Sequence, residues 1–168
     1  MQEKYMKDVT TTSTLSGHLG KDSDVISGIG RLDEVNAFIG LAKVFAKDGE
    51  TKAILEEVQT KIFEAGAEFA GGNKFPEENY EHVLDTISRL EKKVVKPTEL
   101  IILEQNEPTG FLSVARAVVR RCERWAVKLH KQGELSLNLV KWLNKLSYLL
   151  YLLILLEMNE TEGDENES

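Results

Sequence analysis

The sequence predicts an all-α protein, a five-helix antiparallel bundle, and three observations carry that prediction. Apolar residues recur at helical spacing through most of the chain, and Pro76, Pro97 and Pro108, its three prolines, all fall between the periodic segments. Gly49, Gly71, Gly72 and Gly133 stand where the turns between helices are required. Short turns between long helices make consecutive helices antiparallel neighbours.

A polar arm over residues 1–24 comes first. Its stretch KDVTTTSTLSGHLGKD carries hydroxyls from Thr10 to Thr14 and ends on Lys21-Asp22. Hydroxyls and a lysine charge suit phosphate oxygens, but the Walker A pattern is absent, and the stretch reads equally as a flexible Ser/Thr-rich arm. The bundle domain spans 25–157. Its helices are expected at about 25–47, 51–70, 76–95, from near Pro108 or Gly110 to before Gly133, and 135–157. The run LIIL at 100–103 competes as a strand or an extended buried connector. LSYLLYLLILL, from Leu146 to Leu156, is about half the roughly 20 residues needed to span a bilayer, so it reads as a helix buried on most sides. Lys141 and Lys145 before it leave a membrane-peripheral role open. Residues 158–168 form an acidic tail expected to be disordered, because it has little apolar surface to offset the entropy of ordering.

A chain of 168 residues buries a sufficient core as one domain without disulfides. The net charge of −7 is concentrated at the C-terminus, where Glu157, Glu160, Glu162, Asp164, Glu165 and Glu167 account for six negative charges. The remainder is near neutral, so the total does not by itself set the partner. A single cysteine, Cys122, excludes an internal disulfide and a multi-cysteine zinc site, and it sits among apolar neighbours as a small packed hydrophobe. No apolar signal segment follows Met1, and a cytoplasmic location is expected. None of His18, His82 and His130 has a glutamate three residues earlier, which removes the di-metal carboxylate bundles, and no metal site is expected from protein side chains. No Ser/His/Asp arrangement is visible, and the glycines at 28, 30 and 40 follow no strand, so they make no dinucleotide loop.

The fourth helix is the most informative segment. In SVARAVVRRCERWAVKL, Arg116, Arg120 and Glu123 fall on one stripe, while Val114, Val118, Cys122, Trp125 and Leu129 fall on the opposite side. Arg121 and Arg124 widen the basic surface, whose planar donor forks suit phosphate or carboxylate oxygens. The alternative is a solvated face with a few weak ion pairs. In the first helix, Asp33 and Asn36 lie one turn apart amid Ile29, Leu32, Val35, Phe38 and Ile39. A buried Asp33 would need a partner, and Arg116 serves if the first and fourth helices pack together; a surface or capping acid is the other reading. Asn144 interrupts a Leu- and Trp-rich fifth helix, where its amide could bond a neighbouring helix or a purine, ribose or phosphate edge.

Three ordered segments resemble the PduO-type ATP:cob(I)alamin adenosyltransferase family. Lys21-Asp22 followed by GRLDEVNAFIG from Gly30 to Gly40 is similar to K-D…G-x-V-D-E-L-N-S-x-I-G. VARAVVRRCER from Val114 to Arg124 is similar to x-A-R-x-x-x-R-R-A-E-R, and Asn144-Lys145-Leu146-Ser147 to N-R-L-S. The resemblance spans roughly residues 5 to 155. It implies a five-helix bundle assembled as a homotrimer with sites between protomers. It also implies ATP with Mg²⁺ and cobalamin or a related corrinoid as ligands, and a separate reductase to supply Co(I).

Carried over by position, the resemblance implies that Lys21, Arg120, Arg121, Glu123, Arg124 and Asn144 hold ATP. Thr11, Thr12 and Ser13 belong to the phosphate-binding arm, and Asp33 and Arg116 form an ion pair between subunits. The implied reaction is attack of Co(I) on the 5′ carbon of ATP with release of triphosphate, which needs alignment and charge stabilisation but no protein nucleophile.

Four positions depart from that pattern. The arm reads MKDVTTT from Met6 to Thr12 where the family usually has T-G-D-x-G-x-T, so the glycines that allow close backbone approach to phosphate are replaced. Lys145 replaces an arginine fork, and Tyr148 replaces an acid. Leu100 stands near the position where many members place a Phe beside the corrin, offering a smaller apolar wall. The alternative function is therefore a catalytically impaired member that binds ATP or a corrinoid as a carrier or regulatory module. A structural bundle without a small ligand is the third reading.

Overall fold

A computed structural model describes residues 9–165. In chain order its elements are β1 (Thr11–Thr14), β2 (Gly17–Gly20), α1 (Asp24–Phe45), α2 (Gly49–Phe69), α3 (Glu77–Glu91), α4 (Glu107–Lys131) and α5 (Leu137–Glu165). The all-α bundle expected from the sequence is what forms, with α1, α3 and α5 running one way and α2 and α4 the other. Pairs along the helices fix that sense. Asn36 meets Gln59 between α1 and α2, Asn144 meets Glu123 between α5 and α4, and Lys141 and Tyr148 of α5 meet Tyr80 and Glu91 of α3 in parallel order.

Caps set the helix boundaries. Ser23 accepts from Ile26 N at the start of α1, Asp48 accepts from Thr51 N at 2.7 Å before α2, and Asn106 forms a reciprocal capping box with Thr109 before α4. Gly71 and Gly133 follow the last turns of α2 and α4 with φ of 84° and 81°, a left-handed conformation that glycine adopts without a Cβ clash. The α3 helix ends at Glu91, four residues before the expected end.

The core centres on α5, where Leu139, Leu143, Leu146, Leu150 and Leu153 are fully enclosed, each leucine contributing about 1.5–3 kcal/mol by burial. The stretch Leu137–Asn159 is long and apolar enough to cross a membrane by length and composition, yet 61 % of the apolar window in it is buried in the bundle. Two buried carboxylates staple loops to this core. Glu68 accepts from Phe75 N at 2.7 Å and from both N and Oγ of Ser136, and Glu157 accepts from Lys47 N and Asp48 N.

Three expectations are corrected. The arm contains an antiparallel hairpin, with Thr11 opposite Gly20 and Thr14 opposite Gly17, held at its tip by Ser16 N donating to Ala70 O at 3.2 Å. LIIL is neither strand nor buried connector: it is irregular, with Leu100, Ile101 and Ile102 exposed. The fifth helix continues through Glu165 rather than ending near residue 157, because Met and Glu favour helix and nothing breaks it there. The last three residues of the expected tail, and residues 1–8 of the arm, lie outside the described residues.

Candidate functional site

The α4 helix splits as its sequence requires. Leu112, Ala115, Val118, Val119, Cys122, Ala126 and Leu129 are buried, while Arg120, Arg121 and Arg124 are exposed. Val114 departs from the expected apolar side and is exposed, and Trp125 is half-buried at the α1 edge. Arg120 and Arg124 make no side-chain hydrogen bond or ion pair among the described residues, so their forks face solvent. Arg121 is engaged by Glu34 of α1 in an ion pair.

On the opposite flank, Glu123 Oε1 accepts from Asn144 Nδ2 at 2.8 Å, which joins the arginine-rich segment of α4 to the Asn144–Ser147 segment of α5. Ser147 Oγ donates to Asn144 O at 3.0 Å and fixes that turn of α5. Asn144 itself is exposed, with half of its amide still available to a ligand. One of the two readings of this residue, a bond to a neighbouring helix, is realised without using up its polar groups.

Arg116 is half-buried, and its guanidinium carbon lies 5.8 Å from the Tyr151 ring centroid. Its Nε is buried without a hydrogen-bond partner. Asp33 is exposed on α1, and the two do not pair within the chain although α1 and α4 pack together. The expected pair inside the chain is absent: Asp33 is exposed, and the α1–α4 pairings Glu34–Arg121 and Phe45–Phe111 set Arg116 further along α1 than Asp33. Glu104 is the carboxylate that senses Arg116: its carboxyl is held below the ordinary range first by the Ser113 hydroxyl, with backbone bonds and the Arg116 charge adding to it.

The arm meets the helices at the other end of α4. Trp125 Nε1 donates to Asp24 O at 2.9 Å, and Lys128 Nζ and Gln132 Nε2 donate to the Asp24 carboxylate. Those two bonds hold the Asp24 carboxyl below its ordinary value. The indole has Arg31 at 4.4 Å and Lys128 at 4.5 Å from its centroid, a cation–π arrangement that keeps both side chains beside the root of the arm. Thr10, Thr11, Gly20, Lys21 and Asp22 line an open concavity of about 470 Å³. Thr11 and Lys21 thus share one wall, with Lys21 exposed and its N–H bonded to Thr10 O. Thr12 sits opposite Leu19, and the Ser13 hydroxyl is 3.1 Å from His18 Nε2.

Leu100 is fully exposed on the connector between α3 and α4. Sequence reasoning missed the group beside that connector, in which Glu91 of α3, Lys96 and Tyr148 of α5 converge. Tyr148 was visible in the sequence as a departure, but its partner lies 57 residues away and carries no local signal.

Residues 5–157 match the cobalamin adenosyltransferase family. The chain is 31 % identical over 155 residues to the corrinoid adenosyltransferase PduO of Salmonella typhimurium, covering 87 % of this chain and 46 % of that protein. It is 33 % identical over 136 residues to the corrinoid adenosyltransferase of Mycobacterium leprae, covering 72 % and 71 %. It thus spans about half the length of the PduO proteins it matches. Its fold is similar to that of a PduO-type ATP:corrinoid adenosyltransferase variant from Lactobacillus reuteri complexed with cobalamin and ATP, with a TM-score of 0.82, 22 % identity and 95 % of each chain covered.

Proposed function

Because this chain belongs to the cobalamin adenosyltransferase family, we propose that it transfers the 5′-deoxyadenosyl group of ATP to the Co(I) of cobalamin or a related corrinoid. The cobalt electron pair forms the bond to the 5′ carbon, the carbon–oxygen bond of ATP breaks, and triphosphate leaves with the electrons. The observation that carries this reading is the Glu123–Asn144 bond, which brings the two segments of the resemblance into one surface beside the unengaged Arg120 and Arg124.

In this reading Arg120 and Arg124 neutralise the leaving triphosphate, Arg121 joins them on release from Glu34, and Asn144 and Glu123 orient the nucleoside. Lys21 and Thr11 hold the phosphate end in the concavity of the arm, with Thr12 and Ser13 following on the same strand of the hairpin. Leu100 supplies apolar surface to the corrin, which favours cobalt without a water ligand. Among the described residues no group of three or more His, Cys, Asp or Glu gathers, so most of the ligands of a magnesium ion would come from the nucleotide and water. Magnesium would arrive on the triphosphate, where phosphates and water satisfy it.

The proposal includes a homotrimer with sites between protomers. Asp33, exposed and apart from Arg116 within one protomer, is free to meet Arg116 across a subunit boundary, and the exposed Leu41, Val44 and Phe45 add apolar area for a neighbour. A separate reductase supplies the electrons. The buried, unpaired Cys122 accords with a reducing cytoplasm.

Anaerobic incubation of the protein with Mg-ATP and chemically reduced cobalamin tests the reaction. A protein-dependent, light-sensitive cobalt–carbon product supports it. Folded protein that binds ATP and yields no product with any corrinoid would instead be the binding module, which the altered arm and the small Leu100 favour.

A further inference from the structure

The connector between α3 and α4 has no helix or strand from Lys92 to Asn106, and it carries the exposed Val95, Leu100, Ile101 and Ile102. Its middle, residues 98–102, is exposed, so its position depends on its two ends, where Val94 and Leu103 also reach the core. At the far end Glu104 accepts from Ser113, and Gln105 N donates to Thr109 Oγ1 at 3.0 Å. The near end is tied by a closed triangle. Tyr148 OH donates to Glu91 Oε1 at 2.5 Å, Lys96 Nζ donates to the same oxygen at 2.6 Å, and the Lys96 ammonium lies 5.3 Å from the Tyr148 ring centroid.

Three chain segments meet there: the last residue of α3, the root of the connector, and α5 one turn beyond Asn144. An exposed ion pair alone is weak. Here, however, each member touches the other two, and Lys145 of α5 adds a further favourable charge near Glu91. The residue types are complementary as well. An acid at position 148, as the resemblance would have it, would place two carboxylates in contact, whereas the tyrosine hydroxyl donates to Glu91.

We propose that Tyr148 is a positioning residue that, through Glu91 and Lys96, fixes the root of the connector against α5 and so sets where Leu100 stands relative to Asn144. This rests on the reading that Leu100 faces the corrinoid. The strap acts on the corrinoid side of the site and leaves the phosphate end alone, because none of its three members lies in the arm or among the α4 arginines.

The test uses the full chain and three variants: Tyr148→Phe, which keeps the ring and loses the donor; Glu91→Gln; and Tyr148→Glu. Two readouts are taken, amide hydrogen exchange at the root of the connector, where Lys93 N and Val94 N donate to Leu90 O, and the separate KM values for cobalamin and ATP. Tyr148→Phe is expected to speed exchange in the connector and to raise the cobalamin KM by about five-fold, the scale of one lost hydrogen bond, with the ATP KM unchanged. Tyr148→Glu should do more, and Glu91→Gln added to Tyr148→Phe should do little further. Unchanged exchange in the connector would overturn the proposal, as would equal rises in both KM values with a lowered melting temperature. Wild-type protein that makes no adenosylated product would sink the proposed reaction instead, while the exchange data would still decide whether the strap holds the connector.

Discussion

Glu123 on α4 and Asn144 on α5 face each other across the helix seam at 2.8 Å, with the carboxylate accepting from the amide. The contact fixes one polar group of each and leaves the Asn144 side-chain carbonyl and the second Glu123 oxygen without a side-chain partner among the described residues, with Arg120 and Arg124 on the neighbouring turns of α4. A ligand at this surface meets donors and acceptors that are already oriented.

Replacing Asn144 with Ala removes that orientation and should raise the KM for ATP by about ten-fold or more, as expected for losing a bond to a charged group. Asn144 is exposed, so the melting temperature should barely move. Nucleotide titration and thermal unfolding of the variant check both halves; a large loss of stability would mean that the bond serves the bundle instead.

Arg120→Ala separates ligand binding from folding more sharply, because Arg120 makes no side-chain hydrogen bond or ion pair among the described residues. Stability should change by less than about 0.5 kcal/mol. ATP use should fall by about ten-fold or more, with a steeper dependence on salt in wild type than in the variant. Equal losses in unfolding free energy and in ATP binding would contradict the assignment.

The bundle was legible in the sequence because its punctuation is local: prolines at or before helix starts, and Gly71 and Gly133 after helix ends; the caps Ser23, Asp48 and Asn106 emerged only in the structure. The hairpin was not, since TTST and GHLG carry no apolar alternation and their pairing is anchored by a contact to Ala70, the residue just after α2. The arginines of α4 were read from helical spacing alone, but spacing could not say that Arg121 would meet Glu34 while Arg120 stays unengaged. Asp33 and Arg116 were linked by the wish of a buried acid for a cation, and Asp33 proved to be exposed. Tyr148 and Glu91 met only through the parallel packing of α3 on α5, which no single segment encodes.

Cys122 should be inert in the native protein. Burial pushes its thiol up to about 12, so almost no thiolate exists at neutral pH. A colorimetric thiol reagent should react with the unfolded chain and be at least about a hundred times slower with the folded one, in line with protection by global unfolding. Fast labelling of folded protein would show that the α4 seam opens readily.

Gly28 sits where α1 crosses α2 and α4, and a Cβ there would lie 2.8 Å from Phe69 Cε1 and 2.9 Å from Leu129 Cδ1. Overpacking of that kind costs about 1–3 kcal/mol. Replacing a helical glycine with alanine returns about 1 kcal/mol. The net expectation for Gly28→Ala is a loss of about 1 kcal/mol by urea unfolding. An increase in stability would show that the Phe69 ring yields freely.

Glu157 is enclosed beneath the α1–α2 turn, and loss of hydration pushes its carboxyl above the ordinary value of 4.5, against the opposing backbone bonds from Lys47 and Asp48. The folded state therefore holds this proton at pH values where the unfolded chain has released it. Its contribution to stability is fully present below 4.5 and declines as pH rises through the window above that value. Glu157→Gln keeps an acceptor for the turn and removes the titration, so the stability difference, wild type minus variant, should fall as pH rises from about 4 to about 8. The carboxyls of Asp24, Glu64, Glu91 and Glu104 are held low and act in the opposite sense, but they are common to both proteins and cancel in the difference. Urea unfolding at stepped pH measures it, and a difference that stays flat or grows with pH would mean that the backbone bonds outweigh the loss of hydration and keep Glu157 ionised in the fold.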